Sequence, residues 1–403
     1  MVQGSGLSAH QSGIPRFRFP TGSQCGIYNL PVLNMLRPGD ELYITEGCSD
    51  CWAMLSAGHK AIAIPSATLL SQKDIEQLSI INSQLSIDYA PGYASGRAMY
   101  DHEDKVDPTK QEALKQEALE KAKDADLIIY IGGLNKNHKQ DCENGDRESY
   151  DLSFGQNELI SALAEFDAPM IVANFGGNPY HMPWLNKVEG LLHCWYLGSE
   201  SGTALANVLT GKVNPSGKLP VTFAKNYEDY PYVKYGQEAY PGITGVETPK
   251  NSAGEMARRQ VYYKEDIFVG YRGFEKNKTK PLFPFGFGLS YTTFKYSKPA
   301  ITKDAEGWKL TIDVTNTGTR EGKETVQLYV GQAKVAATRP VKELKNFTKL
   351  SLKPGETKIA TFRITEKDLM TWDEQTHNWK YEPTKFMAYI GASSNEIKSK
   401  ISF

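Results

Sequence analysis

DLIIYIGGLNKNHKQDCENGDRESYDL, residues 126–152, decides how the chain is read. Leu127 to Ile131 is a short, almost purely apolar run, the pattern of a strand buried on both faces. It breaks at Gly132-Gly133 into a polar loop that holds Glu143 in the dense context Cys142-Glu143-Asn144-Gly145-Asp146-Arg147. A buried parallel strand that ends in a glycine turn and a polar loop is where open α/β sheets place ligands.

On either side of this stretch the chain alternates strand and helix. Residues 101–125 are highly charged and helical in period, and lead directly into the strand. Downstream, Gly155 to Ala164 reads as a helix and Pro169 to Asn174 as a strand ending in Phe175-Gly-Gly-Asn-Pro179. A short helix follows around Trp184, then a strand, Gly190 to Trp195, and a helix, Gly202 to Leu209, closing at Gly211. Strand–helix alternation with glycines at the strand ends predicts a parallel sheet covered on both faces. From about 212 to 300 regular pattern is lost, and the aromatic, glycine-rich runs Val261–Arg272 and Pro281–Tyr291 read as segments wrapping a domain surface. From Thr293 the period becomes two: Trp308 to Thr315, Thr325 to Val330, Lys358 to Ile364 and Phe386 to Gly391 are short alternating strands between turn signals. These predict an immunoglobulin-like sandwich. At the other end, Glu41 to Gly47, a short helix from Asp50 to Ala57 and Ala61 to Pro65 read as one βαβ step.

The whole chain has 403 residues, suited to two or three domains, with 46 basic and 47 acidic residues for a net charge of -1. That balance argues against nucleic acid or an anionic membrane as partner. No apolar run approaches the ~20 residues needed to span a bilayer. The N-terminus lacks a basic start followed by an apolar core, so the sequence as it stands is expected in the cytoplasm. Five cysteines (Cys25, Cys48, Cys51, Cys142, Cys194) make no disulfide framework, and the Cys48/Cys51 pair lacks a second pair or nearby histidines for zinc. No cofactor is expected. The 22 tyrosines and 6 tryptophans suit polar, ring-shaped ligands, and equally suit an all-β domain.

Residues from about 79 to 403 resemble the C-terminal portion of glycoside hydrolase family 3. The resemblance rests on DLIIYIGGLNKN, CENGDRESYDL with GQNELI, GTALANVLTGKVNPSGKLPVTF, VYYKEDIFVGYRGFE and PLFPFGFGLSYTTF, in the family's order, followed by a fibronectin type III-like domain. It implies an α/β sandwich over 78–225, a wrapping segment over 226–292 and the fibronectin-like domain over 293–403. It also implies exo-acting, retaining hydrolysis of β-linked glucosides, xylosides or oligosaccharides. In many members the sandwich lends the acid/base glutamate to a preceding barrel that carries a nucleophilic aspartate. The family's E-G-x-D-R stands here as Glu143-Asn144-Gly145-Asp146-Arg147, with Asn144 in the glycine's place, so the resemblance makes Glu143 the acid/base. The residue type fits independently, because glycosidic cleavage needs a carboxylic acid to protonate the leaving oxygen.

Around it, Asp146 and Arg147 are expected to pair with each other or with backbone to shape the loop, and Glu148 and Asp151 to be solvated. Lys136 and His138 are candidates for a sugar subsite, and Asn174, Asn178 and His181 for the cleft. Trp184 and Trp195 are expected in the core, and Gly286 and Gly288 at backbone turns.

Residues 1–77 resemble the start of a primase-type Toprim domain, through FRFPTGSQCGIYNL, LYITEGCSD and AGHKAIAIPSA. There Glu46 would work with magnesium beside a later Asp-x-Asp, but Asp124-Ala-Asp126 precedes its strand, so the metal set is incomplete. A barrel needs about 250 residues, so the nucleophile is expected on a separate barrel domain or chain. Ser49-Asp50-Cys51-Trp52 only superficially resembles the family's nucleophile signature, having an extra cysteine and no barrel around it. Three readings remain: the acid/base part of a β-glycosidase, a sugar-binding or interaction module without catalysis, and a Toprim-type nucleic-acid enzyme fragment.

Overall fold

The computed structural model describes residues 42–45, 60–63, 87–95, 107–135, 139–141, 147–243 and 259–403. The chain divides into two compact units, residues 1–89 with 197–204, and residues 90–196 with 205–403. In the first, β1 (Leu42–Thr45) and β2 (Lys60–Ala63) pair in parallel, Leu42 opposite Lys60. This is the pairing a βαβ step requires; Glu46 and the helix expected over Asp50 to Ala57 lie outside the described residues.

The second unit begins its regular structure with α1 (Pro108–Ala122). Asp107 caps it, accepting from the Thr109 amide at 2.9 Å, and Pro108 stands where a missing N–H costs nothing. Only Ala118 and Ala122 of this charged helix are buried, so a thin, small-residue stripe holds it to the domain. A three-stranded parallel sheet follows, β3 (Ile128–Gly133), β4 (Met170–Phe175) and β5 (Gly190–Trp195), in that spatial order. Ile128 lies opposite Met170 and Gly133 opposite Phe175. One face buries Ile128, Tyr130, Met170 and Val172 against α2 (Gln156–Leu163), the α1 alanines, and Tyr180, Met182 and Trp184.

The other face departs from the expected double cover. Ala173, Cys194 and Leu205 of α3 (Ser201–Leu209) form a small cluster there, but Ile129 and Ile131 are 44% and 58% exposed. The apolar run at 127–131 was read as buried on both sides because hydrophobicity carries no information about which neighbour covers each face.

The C-terminal sandwich has two sheets. One is ordered β10 (Glu343–Leu352), β9 (Gly322–Gln332), β14 (Phe386–Gly391), β15 (Ile397–Ser402). In the other, β8 (Gly307–Asn316) pairs on one side with β11 (Thr357–Ile364) and on the other with β6 (Phe294–Tyr296) and β7 (Ala300–Asp304). Along β8, Trp308, Leu310, Ile312 and Val314 are buried and alternate with more exposed residues, the signature of a strand with one solvated face. A small hairpin, β12 (Thr371–Asp373) with β13 (Asn378–Lys380), projects from it. No helix among the described residues is long and apolar enough to cross a membrane.

The segment between the two domains does more than wrap a surface. Phe223 bridges to Phe283, and Phe283 packs on the core of the α/β domain, while Phe268 and Phe274 of the run through α4 (Tyr271–Asn277) are buried. On its far side β9 is buried continuously from Glu324 to Val330, because Thr325, Gln327 and Tyr329 face this segment while Val326, Leu328 and Val330 face the sandwich core. Gln327 is the polar rivet: Nε2 donates to the carbonyls of Gly286 (3.0 Å) and Ala392 (2.6 Å), and Oε1 accepts from the Tyr329 hydroxyl (2.6 Å). Gly286 has φ +81°, and a Cβ there would stand 2.1 Å from Gln327 Oε1, so the glycine is required by both conformation and space. Replacing Gln327 by leucine strands two buried carbonyls and a hydroxyl and is expected to cost about 3 kcal/mol. Lys349→Ala, which removes an exposed contact to Ser216, is expected to change less than about 0.5 kcal/mol. Urea unfolding followed by tryptophan fluorescence reads both.

Candidate functional site

The loop after β3 is rooted by steric and polar constraints together. Gly133 has φ +125°, and a Cβ on it would lie 1.9 Å from the Phe175 carbonyl oxygen, so the chain crosses the end of β4 only as glycine. The buried side chain of Gln156, at the start of α2, then fixes the crossing. Its Oε1 accepts from the Gly133 amide and the Tyr130 hydroxyl, both at 2.8 Å, and its Nε2 donates to the carbonyls of Gly133 (2.8 Å) and Ser153 (2.9 Å). The GQNELI motif thus serves the loop as well as the helix.

The two residues flanking 142–146 meet on one amide. Asp141 accepts from Asn178 Nδ2 at 2.8 Å, from the Gly177 amide at 2.5 Å and from the Tyr196 hydroxyl at 2.5 Å. Arg147 donates to Asn178 Oδ1 at 2.7 Å, and also to the carbonyls of Pro179 (2.6 Å), Tyr150 (2.9 Å) and Asp151 (3.2 Å). Asn178 therefore binds both ends of the five-residue segment that contains Glu143. Burial lowers the Arg147 pKa from its ordinary value, and the charge-assisted bonds offset that desolvation.

A second chain of bonds runs from the core to the surface. Trp184 Nε1 donates to Asn157 Oδ1 at 2.9 Å, Asn157 Nδ2 donates to Asp151 Oδ1 at 3.0 Å, and the same oxygen meets His181 Nδ1 at 2.7 Å. Both networks border an open cleft of about 1130 Å³ that also takes in Tyr150, Tyr227, Tyr230, Tyr232 and Tyr240. The tyrosines hold one another: Tyr230 and Tyr232 stack at 5.9 Å, and Tyr150 meets Tyr230 edge-on at 6.0 Å. Burial raises the Tyr150 and Tyr230 pKa values, so both hydroxyls stay protonated. Aromatic faces beside carboxylates, an amide and a guanidinium suit a ligand with C–H faces and many hydroxyls.

Glu143, Asp146, Lys136 and His138 lie outside the described residues. Arg147 is bonded to three backbone carbonyls and to Asn178. Asn178 and His181 border the cleft, but Asn174 is fully buried at the end of β4 and does not line it. Asp151 is not merely solvated, being held by Asn157 and His181, and Glu148 pairs with Lys139 at 2.9 Å. Trp184 is core, as expected; Trp195 is half-buried, with φ +52° at the end of β5 and its ring 4.3 Å from His193. The sequence reading passed over Asp141 and the tyrosines of 227–240. An aspartate two residues before the glutamate was the available signal for the first, and five tyrosines in the fourteen residues 227–240 for the others.

A parallel α/β sheet with a polar loop at its carboxyl edge, joined through an aromatic segment to a fibronectin-like sandwich, is the architecture of the C-terminal portion of a glycosidase. Residues 53–291 match the glycosyl hydrolase family 3 C-terminal domain, and residues 324–394 a fibronectin type III-like domain. A β-glucosidase of Bacteroides ovatus is 44% identical over 344 residues, covering 84% of this chain and 44% of the relative. One from Rhizobium radiobacter is 38% identical over 289 residues, 71% of this chain and 33% of the relative. Among solved structures, a Bifidobacterium adolescentis β-glucosidase of the same family superposes with a TM-score of 0.68 at 31% identity, over 90% of this chain and 48% of that one. A Streptomyces venezuelae β-glucosidase in complex with D-glucose gives 0.66 at 35%, over 73% and 36%. The chain belongs to glycosyl hydrolase family 3, and it spans less than half the length of these relatives. The family match begins at residue 53, inside residues 1–77, where a separate Toprim-like piece is expected from the sequence.

Two measurements probe this region. Asn178→Asp sets a carboxylate against Asp141, and trypsin cleavage after Arg147 is expected to quicken about tenfold or more as local opening becomes easier. His193 packs against Tyr180, Trp195 and Phe223, and burial lowers its pKa to about 4. The neutral form is the folded one, so its contribution is complete above the unfolded value of about 6.5 and is lost as pH falls toward 4. The part of the acid destabilisation absent from His193→Phe is expected to reach about 3 kcal/mol at pH 4, read by urea midpoints from pH 7 downward.

Proposed function

We propose that this chain supplies the general acid/base, Glu143, for hydrolysis of β-glucosides by a retaining mechanism, with the nucleophilic carboxylate coming from a barrel domain or chain. The observation that supports the reading is the double hold of Asn178 on Asp141 and Arg147, the residues that flank 142–146 in sequence, beside the tyrosine-lined cleft. In the first step Glu143 donates its proton to the glycosidic oxygen while the nucleophile forms a bond to the anomeric carbon. In the second, the glutamate takes a proton from the water that releases the sugar. The two carboxyl groups must then stand ~5–5.5 Å apart. The names of the relatives favour glucosides over xylosides as substrates.

The 403-residue chain by itself is expected to hydrolyse aryl β-glucosides at a negligible rate, because the two-step mechanism needs both carboxylates. Robust turnover by the purified chain, lost on Glu143→Gln, would show instead that a second carboxylate lies within it. Joined to the portion of the Bacteroides ovatus relative that it does not cover, the chain is expected to turn over alkyl glucosides. Glu143→Gln should slow that reaction about 10²–10⁴-fold while sparing the first step on a dinitrophenyl glucoside, whose leaving group needs no proton. An equal loss on both substrates would remove Glu143 from the acid/base role.

A further inference from the structure

The chain of bonds that ends at His181 leaves one atom of that residue for a ligand. The indole N–H of Trp184 can only donate, so Asn157 turns Oδ1 to it and Nδ2 to Asp151. Asn157 is almost wholly buried, and it settles where Oδ1 of Asp151 lies. A carboxylate only accepts, so the 2.7 Å contact with His181 puts the ring proton on Nδ1. In the neutral imidazole Nε2 is then a bare acceptor. It makes no hydrogen bond to a described residue, and the side chain is 38% exposed on the wall of the large cleft. The imidazole is not needed to close the loop. The His181 amide already donates to the Tyr150 carbonyl at 2.8 Å, and Arg147 holds the carbonyls of Tyr150 and Asp151. An exposed histidine with no further task turns readily between rotamers, whereas this one is oriented, contact by contact, from a core indole.

We propose that Nε2 of His181 accepts a hydrogen bond from one hydroxyl of the glucoside, and that Asp151 and Asn157 are positioning residues that present it as an acceptor. The inference rests on reading this cleft as the glucoside site, and not on the role of Glu143. Oδ2 of Asp151 likewise has no hydrogen bond to a described residue, so a ligand at this wall meets two acceptors. An anion would set its lone pairs against both. A cation gains little, since Arg147, bonded to the Asp151 carbonyl, already stands beside that carboxylate. Hydroxyls that donate fit, and the exposed rings of Tyr227 and Tyr240 on the same cleft suit the C–H faces of a sugar. The arrangement also discriminates, because a sugar lacking the matching hydroxyl leaves Nε2 covered and unmet.

The test is nitrogen NMR of the full chain, isotope-labelled at histidine and titrated with methyl β-D-glucoside and its monodeoxy analogues. Before sugar is added, His181 is expected to carry its proton on Nδ1, and the glucoside is expected to shift the Nε2 resonance. His181→Asn separates a ligand contact from a structural tie. Its amide N–H replaces Nδ1–H and keeps the bond to Asp151, but no atom stands in the place of Nε2. Affinity for the glucoside is expected to fall about five- to tenfold in this variant. One monodeoxy analogue should bind the unsubstituted chain more weakly by a similar factor, and should bind His181→Asn no more weakly than the parent glucoside does. Binding is read here without turnover, so a failed acid/base role would show in the rates described above and leave these results intact. The proposal is overturned by a proton on Nε2, by no shift there on adding sugar, by His181→Asn binding as tightly as the unsubstituted chain, or by deoxy penalties that are the same in both proteins.

Discussion

The carboxamide of Asn178 is the constraint on which the loop depends. Its nitrogen gives to Asp141 and its oxygen takes from Arg147, so a neutral group satisfies an anion and a cation at once. Neither partner hangs on this bond alone. Asp141 is also held by the Gly177 amide and the Tyr196 hydroxyl, and Arg147 by three backbone carbonyls. Charge-assisted hydrogen bonds of this kind are roughly twice as strong as neutral ones, and seven converge within a few residues of the segment 142–146. Backbone turns alone, in a surface loop, would not hold a side chain to a defined position.

The same strategy recurs away from the loop. Gln156 locks the strand end at Gly133, Asn157 joins the core indole of Trp184 to Asp151, and Gln327 joins the inter-domain segment to β9. Each is a side-chain amide with both ends used, buried in an otherwise apolar setting where an unmet donor would cost about 1–3 kcal/mol. Such groups confer one arrangement in place of several similar ones, since an apolar contact tolerates sliding and a bidentate amide does not. Through Gln327 the C-terminal sandwich is tied to an irregular segment that has little secondary structure of its own.

The strands and helices were legible because hydrophobic period reports them directly: the alternation along β8 and the apolar runs of β3 and β4 were found where expected. What stayed hidden depends on pairs distant in sequence. Asn178 looked like one polar residue after a strand, because its two partners lie 31 and 37 residues earlier. Gln327 sits in an alternating strand and there reads as an ordinary solvent-facing position, yet a segment from elsewhere in the chain covers it. The exposed flank of β3 failed in the opposite sense, since apolar residues announce that they can be buried, not that something buries them. Glu143 was legible only through a motif, as hydrophobic patterning says nothing about which carboxylate in an acidic loop is placed for chemistry.

The proposed acid/base role gives the anchoring of the flanking residues a use. A retaining glycosidase needs its acid within hydrogen-bond reach of the leaving oxygen and its nucleophile ~5–5.5 Å away on the other side of the bond. Displacement by about 1 Å can cost 10²-fold in rate. When the two carboxylates belong to different domains, the error in each domain's loop adds to the error in their docking. A loop tethered only by its own turns would carry most of that uncertainty. Fixing both flanks of residues 142–146 to one amide, and that amide's neighbours to the sheet, removes much of the loop's own share of that error.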